Sequence, residues 1–205
     1  MMVIFQSTGV QLAVVAAQLW GHVESGQISE AQALFRDYCL PLGPVVERVV
    51  DLGAGDGRFS LVLARRYPGA AILAIDREDM PLLVARAGAP ANIVNMGGFH
   101  FEDVIPCLMD GGPLLVDGVY VMFPNVAAAG FFMEMGVALV GAGKGVIHLL
   151  SEAAHTAEQA QDILKGEGFV TDLVRIPFEV IPSTGYSRVV NDHPDLYWLR
   201  ANRPG

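Results

Sequence analysis

The sequence predicts a doubly wound α/β domain: a mostly parallel, seven-stranded sheet with an antiparallel last strand and helices on both faces. Three observations predict it. Short β-branched apolar runs alternate with stretches of helical periodicity from residue 45 to residue 165, an order that needs right-handed crossovers and so parallel strands. The first run passes directly into clustered glycines and then a helix, as in sheets that bind ligands at their carboxyl edge. The last two runs have no helix between them, so they pair antiparallel.

Residues 1–44 read as a helical cap segment expected to cover the active-site edge, and residues 45–205 as the domain itself. Val10 to Trp20 is apolar like the core of a signal peptide, but no basic residue precedes it, and Gln6, Gln11, Gln18 and His22 interrupt any membrane-length span. A buried or partner-facing helix is expected there. Ser25-Gly26 breaks the pattern, Ser29 can cap a second helix through Ala31, Leu34, Phe35 and Tyr38, and Pro41, Gly43 and Pro44 end it.

Val45 to Leu52 is β-branched and nearly uncharged in its later half, the composition of a strand covered on both faces. From Arg58 to Tyr67, Phe59, Val62, Leu63 and Arg66 recur at helical spacing, and Pro68-Gly69 stops the helix. Ala70 to Ile75 is a second strand. A helix near Pro81 to Arg86, a strand near Asn92 to Met96, a helix from Glu102 to Met109 and a strand from Val116 to Phe123 follow. The next helix spans Val126 to Val140 and breaks at Gly141-Ala142-Gly143, ahead of a strand from Gly145 to Leu150. A helix from Thr156 to Lys165, closed by Gly166 and Gly168, precedes the antiparallel pair Phe169 to Val180 and Leu196 to Ala201, joined by the polar loop Pro182 to Pro194.

With 205 residues, 52% apolar and 17% charged, the chain has material for one sizeable core and too little for two full domains. A formal charge of −9 argues against a broad phosphate-binding face, which disfavours nucleic acid and suits a small neutral or cationic substrate. Cys39 and Cys107 stand far apart without CxxC or Cys/His ligand spacing, so neither a disulfide framework nor a zinc site is expected, and a cytoplasmic location fits. No membrane partner is expected; a homodimer is compatible with the sequence.

The most specific signal is Val49-Val50-Asp51-Leu52-Gly53-Ala54-Gly55-Asp56-Gly57-Arg58-Phe59. Glycines are needed where the backbone turns sharply and a ligand approaches a place that a Cβ would fill. A dinucleotide fold spaces them GxGxxG and sets a pyrophosphate on the helix amides; here the spacing is GxGxG, with acids at Asp51 and Asp56. Two carboxylates repel a phosphate and favour a ligand that carries an ammonium and a sulfonium. Asp76, at the tip of Leu73-Ala74-Ile75-Asp76, can accept both hydroxyls of a ribose.

DLGAGDGRF followed by LAID resembles motif I and the acidic end of the second strand in class I, Rossmann-like S-adenosylmethionine-dependent methyltransferases. The resemblance runs from about Val45 onward, and it implies a methyltransferase with S-adenosylmethionine as cofactor. Residue by residue, it implies that Gly53 and Gly55, with Ala54 between them and Asp51 nearby, lie against the methionine portion. Asp76, beside Arg77, would hold the ribose, and Gly98 and Phe99 would lie at the adenine, although Gly98 stands where the family often has an acid. The strand ending Tyr120-Val121-Met122-Phe123-Pro124-Asn125 falls where the family puts its substrate-facing loop, and the resemblance implies Phe123 as a further cofactor contact.

Within the family, the GDGR and FP segments look most similar to tRNA guanine-N7 and aminoglycoside-resistance ribosomal RNA methyltransferases. Those have an acid or tryptophan after FP and a strongly basic surface; this chain has Asn125 and then Val126-Ala127-Ala128-Ala129, so their substrate contacts do not carry over.

For the acceptor side the candidates are Asn125 and His100. Asn125 can hydrogen-bond an acceptor amine or hydroxyl at the strand's carboxyl end, or equally cap the helix at Val126. His22, His100, His148, His155 and His193 include no pair at metal-ligand spacing, so no metal is expected; His100 is the one closest in sequence to the adenine loop, as a possible general base. Glu152, Tyr186 and Arg188 read as solvated or loop residues, and Phe131, Phe132, Tyr197 and Trp198 as sheet-facing core.

Methyl transfer to oxygen or nitrogen of a small acceptor is the leading expectation. An RNA base methyltransferase and a non-catalytic S-adenosylmethionine-binding subunit or regulator are the alternatives. A nicotinamide-linked oxidoreductase is disfavoured by the glycine spacing.

Overall fold

The computed structural model describes Leu42 and residues 45–55, 57–77, 90–98, 116–122, 126–141, 143–151, 153–177 and 195–204, with 101, 103 and 106 between them. The expected helices within 1–44 and near 81–86, most of the one at 102–109, and the loop 182–194 lie outside the described residues.

Seven strands form one sheet: β1 Arg48–Leu52, β2 Ala71–Asp76, β3 Ile93–Gly97, β4 Gly118–Met122, β5 Val146–Ser151, β6 Val170–Pro177 and β7 Asp195–Asn202. Their spatial order is β3-β2-β1-β4-β5-β7-β6. The first five are parallel, and β7 runs antiparallel between β5 and β6. The last two strands are the expected antiparallel pair, with β6 on the outer edge. The strand order reverses between β1 and β4, so the carboxyl ends of these two strands flank the switch point where open α/β sheets bind ligands.

Alternation along each strand divides the core. Val50, Leu52, Val119, Val121, Ile147, Leu149 and Leu199 face helices α2, Val126–Val140, and α3, Ala154–Gly166. Helix α2 is apolar nearly all round, as befits a helix pressed into a core, with Glu134 turned outward. At Gly136 it comes so close to the sheet that a Cβ would already touch Ile147 and Val119 at 3.4–3.6 Å. Helix α3 starts two residues earlier than the periodicity predicts, because Ser151 Oγ accepts from the Ala153 amide at 3.1 Å and turns the chain into the helix.

The opposite face carries Val49, Ile72, Tyr120, Val146, Leu150, Leu196 and Trp198, packed with Leu42 and with Phe59 and Leu63 of α1, Arg58–Arg66. Asn92 Nδ2 donates to the carbonyls of Ala64, Tyr67 and Ala70, fixing the exit of α1 against the start of β3. Phe132 and Trp198 are buried as expected, and Phe131 and Tyr197 pack partly buried against the core. Among the described residues, no helix is long and apolar enough to cross a membrane.

Candidate functional site

Beyond Leu52 the chain leaves the sheet by a bend whose glycines all have positive φ: Gly53 at 75°, Gly55 at 56° and Gly57 at 77°. L side chains rarely adopt this region, which is why the sequence needs glycine there. The bend is pinned to the neighbouring strand. The Gly53 and Ala54 amides donate to the Ile75 carbonyl at 2.9 and 3.1 Å, and the Gly55 amide donates to Asp76 Oδ2 at 2.7 Å. A Cβ on Gly55 would meet nothing within 4 Å among the described residues, so none of these fills the outer side of the bend. On Gly53 it would meet the Phe132 ring at 3.6 Å, so that glycine lies on the core side.

Five of the residues named from sequence, Asp51, Gly53, Ala54, Gly55 and Asp76, are thus joined at the carboxyl ends of β1 and β2. Arg77 follows with its guanidinium 5.9 Å from the centre of the Phe101 ring, and Gly98, with φ 80°, closes the adjacent β3. His100, Phe99, Phe123 and Asn125 lie outside the described residues, as does Asp56.

Asp51, near the end of β1, has no exposed surface, as befits a residue of a strand covered on both faces. Its Oδ2 accepts the Ser60 hydroxyl at 2.6 Å, and its Oδ1 is buried with no hydrogen-bond partner among the described residues. Burial pushes the carboxyl up to about 7 against the pull of the Ser60 bond, with the Asp76 charge adding to the rise. The carboxyl is therefore only partly ionised near neutral pH, and the electrostatic case for a cationic ligand rests first on Asp76. Ser60 escaped the sequence reading; its signal is a polar residue on the buried side of an otherwise apolar-faced helix, between Phe59 and Leu63.

Of the other histidines in the described residues, His148 is fully buried in the core and His155 is exposed on α3. Among the described residues, no three His, Cys, Asp or Glu side chains cluster in a way that could hold a metal ion.

The sheet order, the antiparallel β7 and the glycine bend tied to an acid at the tip of β2 coincide with a sequence match. The family model for the methyltransferase small domain covers residues 34–112. The fold is that of class I S-adenosylmethionine-dependent methyltransferases. The methyltransferase fold is shared with the precorrin-6y C5,15-methyltransferase of Geobacter metallireducens, at TM-score 0.60 and 17% identity over 82% of this chain and 86% of that one. It is shared too with the O-methyltransferase TomG of Streptomyces achromogenes, solved in complex with SAM, at TM-score 0.60 and 16% identity over 92% of this chain and 90% of that one. In sequence, the chain is 38% identical over 74 residues to the ribosomal RNA large subunit methyltransferase G of Shewanella sp. strain ANA-3. That stretch is 35% of this chain and only 19% of the relative's length.

Proposed function

We propose that this chain binds S-adenosylmethionine in the bend between β1 and α1 and transfers its methyl group to an oxygen or nitrogen of a small acceptor. The observation that carries the reading is the Gly55 amide held by the Asp76 carboxylate at 2.7 Å, on a bend whose Cβ position at Gly55 is open among the described residues. The residues suit the group: a side-chain-free surface for the methionine portion, a carboxylate at the tip of β2 for the ribose, and a net charge of −9 that favours a cation. In this reading Ala54 and Gly55 line the methionine side, with Gly53 behind them toward the core, Asp76 and Arg77 the ribose side, and Gly98 the adenine side, to which the sequence also assigns Phe99.

The cofactor supplies a methyl already activated by a positive sulfur. The chain's own task is to hold the acceptor nucleophile in line with the methyl–sulfur bond and keep water out, a task this reading gives to Asn125 and His100. No covalent enzyme intermediate is needed. Calorimetric titration with S-adenosylmethionine tests the reading: binding by the wild type and its loss in Asp76→Ala support it, and unchanged binding in that variant refutes it.

A second reading, methylation of an RNA base, is favoured by the 38% identity to a ribosomal RNA methyltransferase and opposed by the chain's negative charge. Filter binding to RNA across salt concentrations separates the two, because an RNA enzyme shows a steep salt slope.

A further inference from the structure

We infer that Asp51 couples occupancy of the glycine bend to a proton: a cationic ligand settling on Gly53 to Gly55 drives Asp51 to give up the proton it carries in the ligand-free protein. The inference rests on the S-adenosylmethionine reading and adds to it the regulation of that site. Asp51 lies two residues before Gly53, wholly buried, with one oxygen fixed by Ser60 and the other without a partner among the described residues. A buried carboxyl that lacks a full set of donors holds its proton, and a positive charge brought close in a low-dielectric surrounding favours its ionised form.

The groups around it leave that role to the ligand. From α1 comes the neutral Ser60 hydroxyl. From β2 come Ala74, directly across in register, and Asp76, whose charge opposes ionisation. From β4 comes the Tyr120 phenol, the cross-strand neighbour on the other side, and beyond it on β5 stands His148, which burial keeps neutral. Arg77, next to Asp76, has its guanidinium over the Phe101 ring, and the side chains of Asp56 and Arg58 lie outside the described residues. On binding, the Asp51 O–H bond breaks, the proton passes to the buffer, and the carboxylate left behind balances the ligand's charge.

The experiment is calorimetric titration of the full chain with S-adenosylmethionine at about pH 6 and about pH 8, in buffers of different ionisation enthalpy, for the wild type, Asp51→Asn and Ser60→Ala. The wild type is expected to release roughly one proton more per ligand at the lower pH than Asp51→Asn does, and to lose up to about tenfold in affinity per pH unit below neutrality. Asp51→Asn should show a flat profile. Ser60→Ala, which removes the bond that favours the carboxylate, should move the wild-type profile to higher pH. Equal proton release by the wild type and Asp51→Asn overturns the inference, and so does an unmoved profile in Ser60→Ala. Absence of any S-adenosylmethionine binding at about pH 8 would remove the functional reading as well, whereas binding without Asp51-dependent proton release removes this inference alone.

Discussion

The imidazole of His148 lies flat on the ring of Tyr120, with centroids 4.7 Å apart and planes 11° from parallel. Tyr120 is in turn the cross-strand neighbour of Asp51, so one row across β1, β4 and β5 holds a buried carboxyl, a phenol and a buried imidazole. Desolvation acts oppositely on the two ends: it raises the acid to about 7 and lowers the histidine to about 3. Each end therefore makes stability depend on pH, in opposite directions.

Asp51→Asn should stabilise the protein at alkaline pH. The folded carboxyl ionises near 7 and the unfolded one near 3.8, so between those values the folded state alone keeps the proton and stability declines as pH rises. Above neutrality the burial of this carboxylate costs on the order of 4 kcal/mol, at about 1.4 kcal/mol per unit. Asparagine keeps an oxygen for Ser60 and carries no charge. Urea unfolding should find the variant more stable than the wild type by a few kcal/mol at about pH 8 and nearly equal at about pH 4. The same difference at both would refute the argument.

His148→Phe tests the other end of the row. The folded imidazole stays neutral down to about 3 while the unfolded one takes a proton near 6.5, so its contribution is present above 6.5 and is lost as pH falls toward 3. The phenylalanine can keep the stack on Tyr120 but deletes the acceptor that Nδ1 offers to Trp198 Nε1 at 3.2 Å. The variant should lose about 1–3 kcal/mol at neutral pH. From about pH 6.5 to 4.5 it should then gain up to about 3 kcal/mol on the wild type, where the Asp51 and His148 effects oppose each other. A constant gap between the two proteins over that range would show that His148 does not titrate in this way.

The sheet was legible because its strands carry two strong signals, β-branched runs and glycine punctuation. Helix Val126–Val140 came out as expected because the glycines after Val140 mark its end, and the last two strands paired as expected because no helical stretch separates them. The start of α3 did not, because the Ser151 turn that brings it forward is a local hydrogen bond with no periodic trace. At the site, GxGxG and the acid after LAI marked the bend and its partner. Nothing in the one-dimensional pattern distinguishes an acid above the bend from one beneath it, so the burial of Asp51 and its bond to Ser60 required the packed α1.

Arg203 joins the ends of two helices from the far end of the chain. Its Nε donates to the Gly141 carbonyl just past α2 at 2.7 Å, its Nη1 to the Glu167 carbonyl just past α3 at 3.1 Å, and its guanidinium lies 4.5 Å from the centre of the Phe169 ring. Carbonyls at helix C-termini lack intrahelical donors and carry the negative end of the dipole, so a cation suits both. Arg203→Ala should cost about 1–3 kcal/mol by denaturant unfolding, and Arg203→Lys should recover only part, since an ammonium cannot reproduce the planar fork. Full recovery by lysine would reduce the role to charge alone.

Gly55→Ala and Gly145→Ala should separate the site from the fold. At Gly145 a Cβ would collide with the Val116 backbone carbonyl, which cannot move without dragging the strand junction, so that alanine should destabilise by several kcal/mol. At Gly55 the Cβ would meet no described residue; the φ of 56° costs an alanine roughly 1–2 kcal/mol, and the larger loss should fall on the ligand whose place the methyl takes. Thermal unfolding together with calorimetric titration reads both. Gly55→Ala should lose no more than roughly 1–2 kcal/mol of stability while S-adenosylmethionine binding drops at least about tenfold, a loss of about 1.4 kcal/mol or more. If Gly55→Ala bound the cofactor as the wild type does, the open side of the bend would not be where the ligand lies.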